Sequence, residues 1–314
     1  MSTTATPERT SARSVIRVGD RVFAGIARTA ALLIMLALAG VFVFLLIEGL
    51  PALSVPTAIY RPAHGFWSYV GPLIFGTVLA AVVALVIAVP FAIGVALFIS
   101  HYAPPRLAVP LAYVIDLLAA VPSVVYGLWG GLALAPATRP VIDWLYGHLH
   151  FIPLFAGPPS VTGRTMLTAG IVLAIMVVPI TTAISREVFA QTPRLHEEAA
   201  MALGATRWEV IRLAVFPYAR SGVVSGIMLG LGRALGETMA VAMVLSATPV
   251  VTLNLIGSSN PATIASNIAA NYKEATPDRQ ALLIATGLVL FAVTFAVNFL
   301  ARLIVARSER KVTR

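Results

Sequence analysis

The stretch SGVVSGIMLGLGRALGETMAVAMVLS, residues 221–246, carries Arg233-Ala-Leu-Gly-Glu237 at its centre. An apolar run of this length can cross a bilayer, which takes roughly 20 residues. Arg233 lies about 18 Å of helix rise from Ser221, near the middle of the span. An ionised group at that depth costs at least ~2.5–3.5 kcal/mol and normally faces a partner or a water-filled path. In a continuous helix Glu237, four residues on, shares the face of Arg233, so both charges meet the same neighbour.

Composition supports a membrane reading of the whole chain. Its 314 residues are 59% hydrophobic and 11% charged, where soluble domains carry about 25% charged residues. The net charge of +9 invites a nucleic-acid reading, but the basic residues fall in short stretches between apolar runs. The expected surroundings are therefore membrane lipid, with no nucleic acid. The absence of cysteine rules out a disulfide, a thiolate metal site and a cysteine nucleophile. Lys273 and Lys311 are the only lysines and neither follows glycine, so there is no Gly-x-x-x-x-Gly-Lys loop. There is no Gly-x-Ser-x-Gly and no His-Glu-x-x-His either. No catalytic residue, metal ligand or cofactor is expected, and the energy for any transport comes from a partner or a gradient. The five histidines are read as scattered in loops, without a role.

Six apolar spans are expected, at 28–47, 73–99, 111–134, 165–184, 221–246 and 281–305. The first is too long for a signal-peptide core and reads as an anchor. Residues 1–27 and 306–314 read as polar tails, 28–72 as the first span and an external loop, and 73–305 as the five-helix core. Six spans place both termini on one side. That side carries sixteen basic residues against five on the other, and the excess of positive charge assigns it to the cytoplasm. Pro90, Pro122 and Pro179 fall inside spans and are expected to kink them. Gly222, Gly226 and Gly230 share a spacing of four, as do Gly232 and Gly236, and small residues so placed allow close helix approach. The fifth span is thus expected to be central in an all-α bundle. Thr238 and Ser225 on that span, and Ser123 after Pro122, are lesser candidates for polar contacts along a path. Asp116 reads as a solvated boundary charge.

The longest cytoplasmic connection, 185–220, has helix signals of its own. Thr192-Pro193 reads as an N-cap followed by proline at the first helical position. The helix runs through Glu198-Ala199-Ala200 and stops at Gly204. Thr206-Arg207-Trp208-Glu209 matches a capping box that opens a second short helix. The small-residue surface of Ala199–Ala205 suits docking into a groove of another protein. The competing reading is a helix resting on lipid headgroups, which the acidic pair Glu197-Glu198 opposes.

Glu198-Ala199-Ala200, then three residues, then Gly204, then Pro217 resembles the EAA loop of ABC importer permeases. Ala214 and Phe216 depart from the family's usual residues before the proline. Val121-Pro-Ser-Val-Val-Tyr-Gly-Leu-Trp129 and Leu231-Gly-Arg-Ala-Leu-Gly-Glu-Thr-Met-Ala240 are similar to stretches of the phosphate-importer branch, the PstC family. The resemblance spans about residues 70–305. It implies the type I (MetI-like) importer permease fold. It also implies a non-catalytic subunit of the bacterial inner membrane whose coupling helix, with Glu198, Ala199, Ala200 and Gly204, seats in an ATPase. The implied partners are a PstA-like companion permease, a dimer of PstB-like ATPases and a PstS-like binding protein docking on 49–72, 135–164 and 247–280. Inorganic phosphate is the implied cargo, and Arg233, Glu237, Thr238 and Ser123 are the pathway candidates.

A guanidinium matches two phosphate oxygens. Glu237 fits two roles, holding Arg233 in place or accepting a hydrogen bond from a phosphate P–OH. The pair equally fits a plain structural reading, in which the charges neutralise each other and glue helices. Three other classes stay open: a permease for sulfate or molybdate, a gradient-driven transporter, and a lipid-modifying enzyme. The docking turn favours the importer over the last two.

Overall fold

The computed structural model describes residues 18–54 and 65–312. Helix α1 (Val18–Gly49) ends in a 3-10 turn, Leu50–Ser54. Helix α2 (Phe66–Leu97) continues through a π-helical turn, Phe98–Tyr102. Next come α3 (Pro105–Ala120), α4 (Ser123–Trp129) and α5 (Ala135–Leu149), the last two joined by a π-helical turn. Helix α6 (Met166–Ala190) leads to α7 (Arg194–Ala202), α8 (Arg207–Val210), α9 (Phe216–Gly236), α10 (Met239–Val244), α11 (Ile264–Asn271) and α12 (Pro277–Val312). Ala247–Thr248 and Asn260–Pro261 form a two-residue parallel pairing, a small exception to the helical fold. Among the described residues, five helices are long and apolar enough to cross a membrane, and α3 with α4–α5, bent by 90°, makes a sixth if counted as one broken span.

The core is an α2–α6–α9 stack built on small residues. Ala80, Ala84, Ala88, Ala92 and Ala96 recur every four residues along α2 and are fully buried. With no bulk on that stripe, α6 approaches closely, and the Thr182 hydroxyl donates to the Ala92 carbonyl at 3.3 Å. The glycines expected to pack α9 do so against α6. A Cβ at Gly230 would lie 2.7 Å from Val177 and 2.9 Å from Thr181 Oγ1, and at Gly226 3.2 Å from Ile184. A Cβ at either of the second pair, Gly232 and Gly236, would meet nothing within 4 Å, so among the described residues that pair packs against no other helix.

Several expected boundaries are corrected. Helix α1 begins at Val18, inside the expected tail, because no breaker interrupts it before the apolar run. Helix α12 likewise continues to Val312, through most of the expected C-terminal tail. The remainder of those tails, and 55–64 of the first external loop, lie outside the described residues. Pro90 and Pro179 sit inside uninterrupted helices, and only Pro122 marks a break. There Val121 is extended (ψ 129°), as the residue before a proline is pushed to be. The 111–134 span is therefore two helices, and α5 replaces the start of the expected 135–164 loop. The expected fifth span also divides. Helix α9 stops at Gly236, Glu237 is extended (ψ 127°), and α10 follows as a separate short helix. Its membrane length is instead made up at the other end, where α8 runs through a π-helical turn into α9 as one element from Arg207.

The 247–263 segment, expected as an external loop, folds back into the bundle. Ile256 and Asn260 are fully buried. The Asn260 carboxamide accepts from Met166 N (3.0 Å) and donates to the carbonyls of Gly257, Arg164 and Ser246. Ile264 N donates to Thr77 Oγ1 at 2.9 Å, tying this segment to α2.

Candidate functional site

Two helix breaks, at Val121-Pro122 and at Glu237-Thr238, are brought together by glycine packing. A Cβ at Gly127 of α4 would lie 2.7 Å from the Ala240 Cα of α10, and one at Gly131 would lie 2.9 Å from the Met243 carbonyl oxygen. Only glycine at both positions lets α4 lie this close to α10. Tyr126, buried on α4, donates its hydroxyl to the Leu118 carbonyl across the first break at 2.9 Å. Arg233, one turn before the second break, lies close enough to act electrostatically on that phenol. Its Nε is buried and has no hydrogen-bond partner.

The expected Arg233–Glu237 partnership is not made. Among the described residues the ion pairs are His101–Glu197 at 3.7 Å and Arg186–Asp116 at 3.6 Å. The helix ends between the two charges, so their i to i+4 relation is lost. The Glu237 carboxylate, 9% exposed, accepts instead from Ala240 N at 3.1 Å, capping α10. A carboxylate at a helix N-terminus is favoured by the local dipole. Thr238 stands in the break itself, half-buried, and Ser123 opens α4 one turn before Tyr126. The site therefore gathers an arginine without a carboxylate partner, a helix-capping carboxylate, a phenol and two half-buried hydroxyl residues. Ser225 is not among them. It sits on the exposed face of α9 and donates to the Ser221 carbonyl at 2.9 Å.

The 185–220 segment has the expected helix–turn–helix form. Gly204 adopts φ +84°, the left-handed geometry that glycine accepts without strain. Gly204 N donates to Met201 O at 2.9 Å and Ala205 N to Ala200 O at 3.2 Å, a Schellman termination of α7. The capping box is present, with Thr206 N donating to Glu209 Oε2 at 2.7 Å. Ala199, Ala200, Leu203, Gly204, Leu213 and Tyr218 line an open groove of about 770 Å³. Leu203 is 90% exposed and Leu195 72%. Glu198 lies elsewhere, on a separate cavity of about 440 Å³ with Ser100, His101 and Thr192. Thr192 is not the N-cap. Pro193 takes that position, and Thr192 Oγ1 is buried without a partner.

The reading of the histidines is also corrected. His101 lies in the terminal turn of α2, His148 in α5 and His196 in α7, and His101 faces Glu197 of α7. Asp116 is half-solvated as expected, but paired with Arg186. Tyr126, Asn260 and Gly131 were not singled out from the sequence. Tyr126 lies in a quoted stretch whose proline hinted at a break, while Asn260 sits in a polar loop with nothing to mark its burial.

This combination of a multi-pass helical bundle, a broken-helix site in the membrane and a surface helix–turn–helix defines a transport permease. Residues 88–312 match the inner membrane component of binding-protein-dependent transport systems, and the chain belongs to that family. Within it, the chain is 46% identical over 300 residues to the phosphate transport system permease protein PstC 2 of Mycobacterium tuberculosis, covering 92% of both chains. It is 43% identical over 257 residues to PstC of Xylella fastidiosa (80% of this chain, 78% of the relative) and 37% identical over 304 residues to PstC of Mesorhizobium japonicum (93% and 91%). A solved bacterial ABC transporter that imports the acidic polysaccharide alginate shares the fold, with a TM-score of 0.55 at 17% identity, covering 94% of this chain and 100% of that one.

Proposed function

We propose that this chain is one permease half of an ATP-driven phosphate importer, with Arg233 as the anion contact in its membrane path. The observation that carries the reading is Arg233 Nε, buried in the last turn of α9 beside two helix breaks and without a partner. A buried guanidinium N–H without a partner is costly, and a passing oxyanion is the chemistry that relieves it. One arginine makes a strong but releasable contact, as transport requires. The Glu237 carboxylate has lone pairs left after capping α10. It can accept from the P–OH of a phosphate, which sulfate lacks at neutral pH. Thr238 and Ser123 supply hydroxyls at the two breaks. The names of the relatives support phosphate as cargo, and sulfate or molybdate is the alternative.

The groove beside Gly204 is assigned to a separate ATPase dimer, with Leu203 as its protruding apolar contact. Glu198 acts from the opposite side of α7, toward the end of α2. Closure of the ATPases on ATP moves α7, and the rigid α8–α9 element carries that motion to Arg233. A companion permease completes the path, and an external phosphate-binding protein delivers to it. Both termini lie in the cytoplasm of a bacterial inner membrane, with the basic 185–220 segment.

The test is uptake of labelled phosphate and sulfate into vesicles holding the assembled complex, with ATP inside and binding protein outside. Phosphate-selective uptake lost in an intact Arg233→Ala complex is the expected result. Uptake that survives the substitution reduces Arg233 to a packing residue, and preference for sulfate moves the cargo to another oxyanion.

A further inference from the structure

Arg164 is the second arginine that the fold aims at α4. It stands just before Thr165, the residue that caps α6, at the outer end of the fourth span. Its backbone is pinned from both sides. Gly163, at φ +70°, packs against the Ala135 carbonyl so closely that no Cβ would fit, and its own carbonyl accepts from Thr168 Oγ1 at 2.7 Å. The Arg164 carbonyl accepts from the buried Asn260 carboxamide at 3.4 Å. The side chain is free where the backbone is not. Arg164 is exposed, and among the described residues no carboxylate lies within ion-pair distance of it.

Its position is set by a missing side chain. A Cβ at Gly131 would lie 3.9 Å from Arg164 Nη2, so the guanidinium rests over bare helix backbone. Gly131 is five residues from Tyr126 in the same helical run, about 7 Å of rise, and Arg233 acts electrostatically on Tyr126. Two arginines without carboxylate partners among the described residues thus stand at different heights along the α4 run, the outer one exposed and the inner one half-buried with its Nε enclosed. A cation held at a fixed point by the mouth of a low-dielectric path raises the local anion concentration there.

We propose that Arg164 is the outer anion-binding station of the path, taking a phosphate oxyanion through its guanidinium and passing it inward along α4 to Arg233. This rests on the pathway reading of Arg233. Gly131 lets the Arg164 guanidinium lie against the helix backbone, and a side chain there would also press on the Met243 carbonyl oxygen, 2.9 Å from the position of its Cβ.

The natural absence of cysteine permits a charge-specific test. In the assembled complex, with binding protein outside and ATP inside, Arg164→Cys is expected to lower phosphate uptake about tenfold, the scale of one lost charge-assisted contact. Modification with a cationic aminoethyl thiosulfonate restores most of the rate, and the anionic sulfonatoethyl reagent does not. Free phosphate slows the labelling. The parent complex, treated with the same reagents, controls for thiols of the partner subunits. Wild-type uptake in Arg164→Cys, or equal effects of the two reagents, overturns the assignment. An Arg233→Ala arm separates the two ideas. Uptake lost there but normal in Arg164→Cys removes the outer station alone, whereas uptake retained in Arg233→Ala removes the path on which it depends.

Discussion

Tyr126 reaches back across the Val121-Pro122 break to the carbonyl of Leu118, 2.9 Å away. This contact joins two helices that meet at 90°, and it gives a short bond to a carbonyl that also accepts from Val121 N at 3.4 Å. Tyr126→Phe keeps the ring and removes only the bond, at a cost of about 1 kcal/mol. The expected result is a broader distribution of distances between spin labels on α3 and α5. An unchanged distribution means that proline and packing alone hold the bend.

Asn260 is the polar keystone of the outer surface. Its one side chain serves a backbone N–H of α6 and carbonyls of three segments. Asn260→Ala strands these buried groups, each unsatisfied group costing about 1–3 kcal/mol. A clear drop in the melting temperature of the purified complex is expected, with more protease cutting between 247 and 263. Asn260→Asp keeps the acceptor but loses the donors, and should fall between the two.

The two glycine stripes of α9 predict opposite outcomes. Gly230→Val forces a branched side chain into Val177 and Thr181, and overpacking of this kind costs about 1–3 kcal/mol. Gly232→Ala meets nothing within the chain. Thermal unfolding of the isolated subunit in detergent should register the first and not the second. A loss of assembly in Gly232→Ala with the subunit itself stable would place that stripe against the companion permease.

At the turn after α7, Gly204→Val puts a β-branched residue at φ +84°, at about 1–2 kcal/mol of strain. Leu203→Asp instead leaves the fold unchanged, since Leu203 is 90% exposed, and charges the apolar contact. Both are expected to weaken co-purification of the ATPase, Leu203→Asp without loss of subunit stability. Full retention of the ATPase in Leu203→Asp would move the docking surface elsewhere on α7.

The legible parts of this chain are those governed by local chemistry. The Schellman turn at Gly204 and the capping box Thr206–Glu209 appear where the residue types place them, because their partners lie within a few residues. The α9 glycines were legible as a packing face for the same reason. Pro90, Pro122 and Pro179 were not distinguishable from one another. Each removes one donor, and whether the helix breaks depends on what lies alongside. Pro122 has a backbone-extended neighbour and a tyrosine that bonds across the bend, while α2 and α6 continue through theirs, Pro90 on an exposed face and Pro179 buried. Glu237 was misread for a related reason. Four residues from Arg233 means a shared face only in an unbroken helix, and the alternative capping partner, Ala240 N, becomes available only when the helix stops.

By itself the sequence determined that this is a multi-pass membrane protein, where its charge asymmetry lies, and that a glycine turn between two short helices follows Glu198. Apolar length, basic-residue counts and capping motifs are additive along the chain and need no fold to be read. The tertiary structure decided which charges are paired, that Arg233 stands without a carboxylate, that Arg164 rests over Gly131, and that the 247–263 segment folds inward. Those facts depend on contacts between residues far apart in sequence, where one missing Cβ or one helix break changes which groups can meet.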